Sequence, residues 1–344
     1  MPAFEDIVGQ ERAIQWLRGA YAAGRLPHGL IFAGPAGVGK ATTAAALATL
    51  FLCAAPADGK ACGGCPSCSA MRSGAHPDYH VIVRELIRLH DRSGTSAASQ
   101  LSIDVIREEL LARAARTSTL GRGKVFVIEQ AELMTVAAQN AMLKTLEEPA
   151  GRTLIILLTD QPLALLATIR SRCQTVNFAP LSAETVRREL HRRGVAEDDA
   201  AEAADLAGGS LGLALRWMED GVVARARELR RMLMERPAGR DDTDFAEWLK
   251  EAAAEYAQKQ LARDEMASES QARRDGMALY LELAAEMFRR RLAVAPDAAA
   301  AARLCRAIEV VARCEEYLAA NVTISLVAEY AAAEMEMSGV YAVG

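Results

Sequence analysis

The stretch Gly34-Pro35-Ala36-Gly37-Val38-Gly39-Lys40-Ala41-Thr42 follows directly on the apolar run Leu30-Ile31-Phe32-Ala33 and leads into the Ala/Leu-rich residues 43–53. A strand, a glycine turn and a helix in that order form a phosphate cradle. The glycines let backbone N–H groups converge on an anion, the helix N-terminus adds partial positive charge, and Lys40 reaches the outer phosphates. A plain tight turn is the alternative, and the flanking strand and helix weigh against it. The pattern G-x-x-x-x-G-K-[ST] holds up to its last position, where Ala41 replaces the hydroxyl residue that would hold Mg²⁺. The hydroxyl has either slipped to Thr42, which faces another way on a helix, or is missing. Binding and hydrolysis are therefore separate questions for this loop.

Around it the chain alternates in kind. Ala13, Ile14, Leu17 and Ala20 recur at helical spacing after a break at Gly9-Gln10. Tyr79 to Val83 reads as a buried strand, residues 91–100 as a polar loop, and 103 to 115 as a helix capped by Ser102. Lys124-Val125-Phe126-Val127-Ile128 is a short apolar strand ending in Glu129-Gln130. Phosphate-loop ATPases place their metal-binding and water-activating carboxylates at such a strand end. Here Glu129 stands where Asp is usual and Gln130 where the catalytic Glu is usual, and an amide cannot take a proton from water. The helix carrying Asn140 to Pro149 ends at its proline. The strand of residues 153–158 then runs to Thr159-Asp160, a polar end suited to sensing phosphate. Thr168-Ile169-Arg170-Ser171-Arg172-Cys173 precedes a last strand, Thr175 to Phe178. Strands separated by helices throughout 1–178 predict a parallel sheet with helices on both faces. Beyond Ala179-Pro180 the pattern is helical only, with a glycine turn at 208–212 opening a helix that carries Arg216, and a break at Pro237-Ala238-Gly239.

Cys53, Cys62, Cys65 and Cys68 follow the spacing C-x8-C-x2-C-x2-C. Four thiolates so placed can close a tetrahedral site, and the Gly and Pro between them let a short loop bend around an ion. An iron–sulfur site, a redox pair or unrelated thiols are the alternatives. Zinc fits better, since four cysteines cluster tightly and no ferredoxin-like spacing follows. With all four positions filled by protein, such a site is structural. Cys305 and Cys314 read as core thiols. His28 reads as a turn or packing residue, and His76 and His80 as solvated or structural, with a second metal left open.

Forty Lys+Arg against forty-five Asp+Glu give a net charge of −5, which excludes the one-sided basic footprint of a chain that grips nucleic acid alone. Any DNA contact is then local or shared with partners. The N-terminus lacks the layout of a secretory signal, and no run of about 18 apolar residues exists to span a bilayer. A cytoplasmic protein with no membrane partner is expected, in which seven cysteines point to metal or buried thiols over disulfides.

Taken together, Phe4-x2-Ile7-Val8-Gly9-Gln10, Leu26-Pro27-His28, the phosphate loop, the four-cysteine module, Asn140 to Pro149 and Ser171-Arg172-Cys173 resemble the delta-prime family of bacterial DNA polymerase III clamp-loader subunits, which are AAA+ proteins. The pieces span most of 1–178 in family order, while 179–344 resembles the family only in its all-helical plan. The resemblance implies an α/β AAA+ module over 1–178 with a zinc-module insertion at 53–68, a small helical lid over 179–220, and an all-helical oligomerisation collar over 221–344. It implies that Gly34, Gly37, Gly39 and Lys40 bind or once bound ATP or ADP, with Thr42 and Glu129 as residual metal-side groups and Thr159 at a first sensor position. It implies zinc on Cys53, Cys62, Cys65 and Cys68, and a second sensor at Arg216 facing the chain's own site. Arg172 looks like an arginine finger offered into a neighbour's ATP site. The bland alternative is that it pairs with a nearby carboxylate.

The expected function is a clamp-loader subunit without ATPase activity of its own, working with gamma/tau and delta subunits to place the sliding clamp on primer–template DNA. The competing expectation is an active gamma/tau-type ATPase in which Thr42 and Glu129 stand in for the missing ligands. A stand-alone AAA+ motor is more remote, because it needs a complete hydrolytic site.

Overall fold

In a computed structural model, residues 3–86, 100–234, 243–263 and 268–340 are described. The polar loop expected at 91–100 lies, apart from its last residue, outside them, as does the break expected at 237–239. The described chain divides into two compact units: one of residues 1–194 with 207–213, and one of 195–206 with 214–344. The span 179–220 is thus shared between them.

The first unit is built on a parallel five-stranded sheet: β1 (Gly29–Ala33), β2 (Tyr79–Ile82), β3 (Lys124–Ile128), β4 (Thr153–Thr159) and β5 (Gln174–Asn177), in the order β2-β3-β4-β1-β5. The middle strands read as continuous apolar runs because both faces are covered. Leu30, Phe32, Val125, Val127, Leu154, Ile156 and Leu158 join one core with the helix Lys40–Leu52. Ile31, Phe126, Ile128, Ile155 and Leu157 face the opposite core, where Val105, Ile106, Leu110, Ala138, Met142 and Leu146 cover them. Period-two alternation is present in space, yet invisible in the sequence because both sets are apolar.

β2 departs from the expectation of a buried strand. It lies at the sheet edge, only Ile82 is buried, and Val81 is exposed. His80 stacks on Phe126 with ring centroids 5.0 Å apart. His76 is buried, its Nε2 2.8 Å from Ser67 Oγ and its Nδ1 accepting from the Asp78 backbone N–H at 3.1 Å. Both histidines therefore serve packing. Ser102 caps its helix as expected, Oγ accepting from Val105 N at 3.4 Å, although residues 106–111 widen into a π-helical turn.

The second unit is helical. It contains Glu197–Leu206, Val222–Met234, Thr243–Arg263, Glu269–Leu292, Ala298–Ala319 and Ile324–Ser338, around a core that includes Phe245, Leu249, Tyr280, Phe288, Leu304, Val311 and Met335. Gly276 allows close approach of two helices: a Cβ there would lie 2.9 Å from the Ala253 carbonyl oxygen. Cys314 is buried as expected, but Cys305 is exposed and is no core thiol. The buried stripe runs Leu304, Ala307, Val311, Cys314, Leu318, and position 305 is one residue, about 100°, away from it. Among the described residues no helix is long and apolar enough to cross a membrane.

Candidate functional site

Three strand ends meet at the C-terminal edge of the sheet, the edge at which parallel α/β sheets bind ligands. Ala33 pairs with Thr159 and with Asn177, and Ile128 with Leu157, so the ends of β1, β3 and β4 lie side by side. The phosphate loop leaves β1 here. Gly34 N donates to Thr159 O at 3.1 Å, and a Cβ on Gly34 would lie 2.2 Å from the Phe178 carbonyl oxygen, so only glycine fits. Gly37 and Gly39 have φ of 71° and 102°, and Gly39 caps the helix Lys40–Leu52. The loop backbone is thereby set with its N–H groups at a helix N-terminus.

Gln10, read from sequence as a chain break, clamps this loop. Its buried amide donates to Val38 O at 3.1 Å and to Ala179 O at 2.8 Å and accepts from Ala179 N at 3.3 Å. The turn Gly208-Gly209-Ser210 also lies on it, with Gly212 N donating to Gly37 O at 2.9 Å.

Lys40 is buried, and its ammonium donates to Gly34 O and, at 2.7 Å, to Pro35 O, turned onto its own loop. Burial lowers its pKa, against the carboxylates of Asp160 and Glu132, which raise it. Ala41 supplies no hydroxyl. Thr42 is exposed, whereas the buried Thr43 hydroxyl is committed to Gly39 O at 2.8 Å. Gln130 is exposed at φ 49°. The Thr159 hydroxyl is buried and accepts from Gln161 N at 3.0 Å. Glu132 has a buried Oε2 that makes no hydrogen bond. Neither Glu132 nor Asp160 was singled out from sequence as facing Lys40. Arg216 belongs to the second unit, exposed on the helix Leu211–Glu219.

Arg172 lies at the other end of β1. A Cβ on Gly29 would lie 3.3 Å from Arg172 O, 2.9 Å from Cys173 Sγ and 3.2 Å from Leu146 Cδ2. Gly29 opens β1 and Gly34 follows its end, so about 16 Å of chain separates the Arg172 backbone from the loop. Burial pushes the Cys173 thiol up to about 12 and leaves it an inert core group. The guanidinium itself is exposed and pairs with Glu147, Nε lying 2.7 Å from Oε1.

The four cysteines come together as the spacing predicts. Their Sγ atoms all lie within 4.8 Å of one another. Cys53 ends the helix Lys40–Leu52, and Cys65 caps the helix Pro66–Arg72 with proline at its first turn. Cys53 Sγ accepts from Cys62 N at 3.2 Å, and Cys65 Sγ accepts from Cys68 N at 3.4 Å and from Ala54 N at 3.5 Å. Burial pushes the Cys65 thiol up, but N–H donation from Ala54 and Cys68 outweighs it and brings the group down to about 6. Four clustered sulfurs, two of them accepting from backbone N–H groups, fit a divalent metal ion.

A parallel sheet in this order, with a phosphate loop after β1 and helices on both faces, defines the fold as an α/β AAA+ module followed by a helical region. The profile of a family described as DNA polymerase III, delta subunit, matches residues 9–182. A DNA polymerase III subunit delta' of Pseudomonas aeruginosa is 38% identical over 212 residues, covering 60% of each chain. The corresponding subunit of Escherichia coli is 37% identical, covering 62% of this chain and 58% of its own. The chain belongs to the DNA polymerase III delta-prime family. It is also similar to a DNA polymerase III subunit gamma/tau of Mycobacterium tuberculosis, 35% identical over 58% of this chain and 33% of that one. The chain spans about three-fifths of the length of the delta' relatives it matches.

Proposed function

We propose that this chain is the subunit of a clamp loader that does not turn over ATP itself but completes the ATP site of an adjoining gamma/tau-type motor subunit with Arg172. With the delta subunit and the sliding clamp as further partners, it would help place the clamp on primer–template DNA. The observation that carries the reading is the split along β1. At one end the phosphate loop keeps its backbone but lacks a hydroxyl at position 41 and a carboxylate at position 130. At the other end an exposed arginine stands too far away to serve that same loop.

The chain's own residues then divide the work. The loop N–H groups and Lys40 can hold a nucleotide phosphate, with Thr159 beside it and Arg216 as a second sensor, while position 130 offers an attacking water an amide in place of a base. Arg172 stabilises charge on a transferring phosphoryl group in the neighbour, an effect of about 10³–10⁵ in rate. Cys53, Cys62, Cys65 and Cys68 would hold zinc, which closes the loop between the helix Lys40–Leu52 and β2 and carries no chemistry. Residues 179–220 act as a lid and 221–344 as the collar of the oligomer.

The gamma/tau relative favours a second reading, an active ATPase with Thr42 and Glu129 as surrogate ligands. The exposure of Thr42 counts against it. The two are separated by Arg172→Ala in a mixture with the motor subunits. The first reading expects partner hydrolysis to collapse while nucleotide binding to this chain is unchanged, and undiminished partner hydrolysis would overturn it.

A further inference from the structure

We propose that Glu147 is a positioning residue that holsters Arg172: it keeps the guanidinium folded on its own chain until the terminal phosphate of a nucleotide on the adjoining subunit displaces its carboxylate. The inference rests on the reading of Arg172 as a finger acting in trans.

Three separate sequence motifs converge to build the pair. Leu146 and Cys173 are buried against the bare Cα of Gly29, and the neighbouring His28 ring contacts the Leu146 carbonyl through Nε2. With residues 146 and 173 fixed side by side in the core, Glu147 and Arg172 necessarily emerge side by side on the surface. Glu147 Oε1 accepts from Nε of Arg172 at 2.7 Å and also from Nη2. Nη1 donates to Thr168 O at 3.0 Å and to Ser171 Oγ at 3.4 Å. A guanidinium has five N–H donors, so four are spent within this chain.

The Nε/Nη2 edge that Glu147 occupies is an edge with which arginine grips a phosphate bidentately. Carboxylate and phosphate therefore compete for one set of donors, and the finger cannot present that edge while the pair is closed. The backbone beneath is locked by the core, so release needs side-chain rotation alone. The hold is also weak. Arg172 and Glu147 side chains are 34% and 49% exposed, and such pairs favour the closed over the open state by a factor of about 1.4 to 5. A transferring phosphoryl group, more highly charged than the carboxylate, wins those donors in the transition state, so the cost of release falls on kcat.

The test is a double-mutant cycle in the reconstituted complex, following kcat and KM for ATP at the adjoining motor site. Glu147→Gln is expected to raise kcat about 1.4- to 5-fold with KM unchanged, and Glu147→Lys, which repels the guanidinium, at least as much. Neither change should matter when Arg172 is already Ala. If Arg172→Ala slows the neighbour but Glu147→Gln leaves kcat unchanged or lowers it, or acts equally without Arg172, the holster is wrong and the finger stands. If Arg172→Ala has no effect on the neighbour, the finger reading falls and the holster with it.

Discussion

At the scale of single residues, the two ends of β1 are built with different tolerance. Gln10 is the hinge pin of the phosphate loop: three hydrogen bonds tie residues 38 and 179 through one buried amide. Gln10→Ala should leave those groups unpaired and cost about 1–3 kcal/mol, read as a lower denaturant midpoint at unchanged m. Nothing local announced this, because its partners are 28 and 169 positions away and appear as an ordinary turn in sequence. Glu5 offers a pH signature. The Lys60 ammonium first, then its own backbone and Arg18, hold its carboxyl down at about 2, against an ordinary 4.5. A depressed folded-state pKa means that its contribution is whole above pH 4.5 and fades as pH falls toward 2. Wild type should therefore exceed Glu5→Gln in unfolding free energy at pH 7, by less than about 1 kcal/mol for a pair this exposed, and the gap should close by about pH 2.

At the scale of elements, the start of β1 and the cysteine module carry the predictions. Gly29→Ala forces a methyl against Cys173 Sγ, Leu146 and the Arg172 carbonyl, and should cost about 1–3 kcal/mol by overpacking. Its second consequence is functional: the Arg172 backbone has to shift, so on the proposed reading stimulation of a neighbour should fall more than folding does at 25 °C. The cysteine module should hold one zinc per chain. Stripping it with a chelator under reducing conditions should lower Tm by more than about 5 °C, with Cys65→Ser doing the same and an unchanged melt contradicting the assignment. Elements of this kind were legible because their residues are chemically rare: four thiols at short spacing, glycines with a lysine. The edge position of β2 and the exposure of Cys305 were not, since strand order and the phase of a long alanine-rich helix depend on which neighbours arrive.

At the scale of the whole molecule, the sheet reads directly from sequence and the helical region does not. Continuous apolar runs such as Leu154 to Leu158 can only be buried on both faces, which demands helices above and below. The helices of the second unit instead take their order from pairs such as Trp248 on Tyr280, ring centroids 5.4 Å apart, and Arg225 with Glu255. Those pairings have no sequence period. The candidate site was legible in its parts, the glycine loop with Lys40, Thr159 and Arg172, but not in Glu147, because an acid one residue before another at a helix end looks like solvated charge.

The most direct measurement sets two changes in this chain side by side within the reconstituted complex: single-turnover ATP hydrolysis at the adjoining motor site with Lys40→Ala and with Arg172→Ala. The account predicts that Lys40→Ala leaves hydrolysis there within about twofold and that Arg172→Ala slows it by about 10³ or more. Loss of turnover with Lys40→Ala and retention with Arg172→Ala would contradict it, and would make this chain a motor rather than the subunit that arms one.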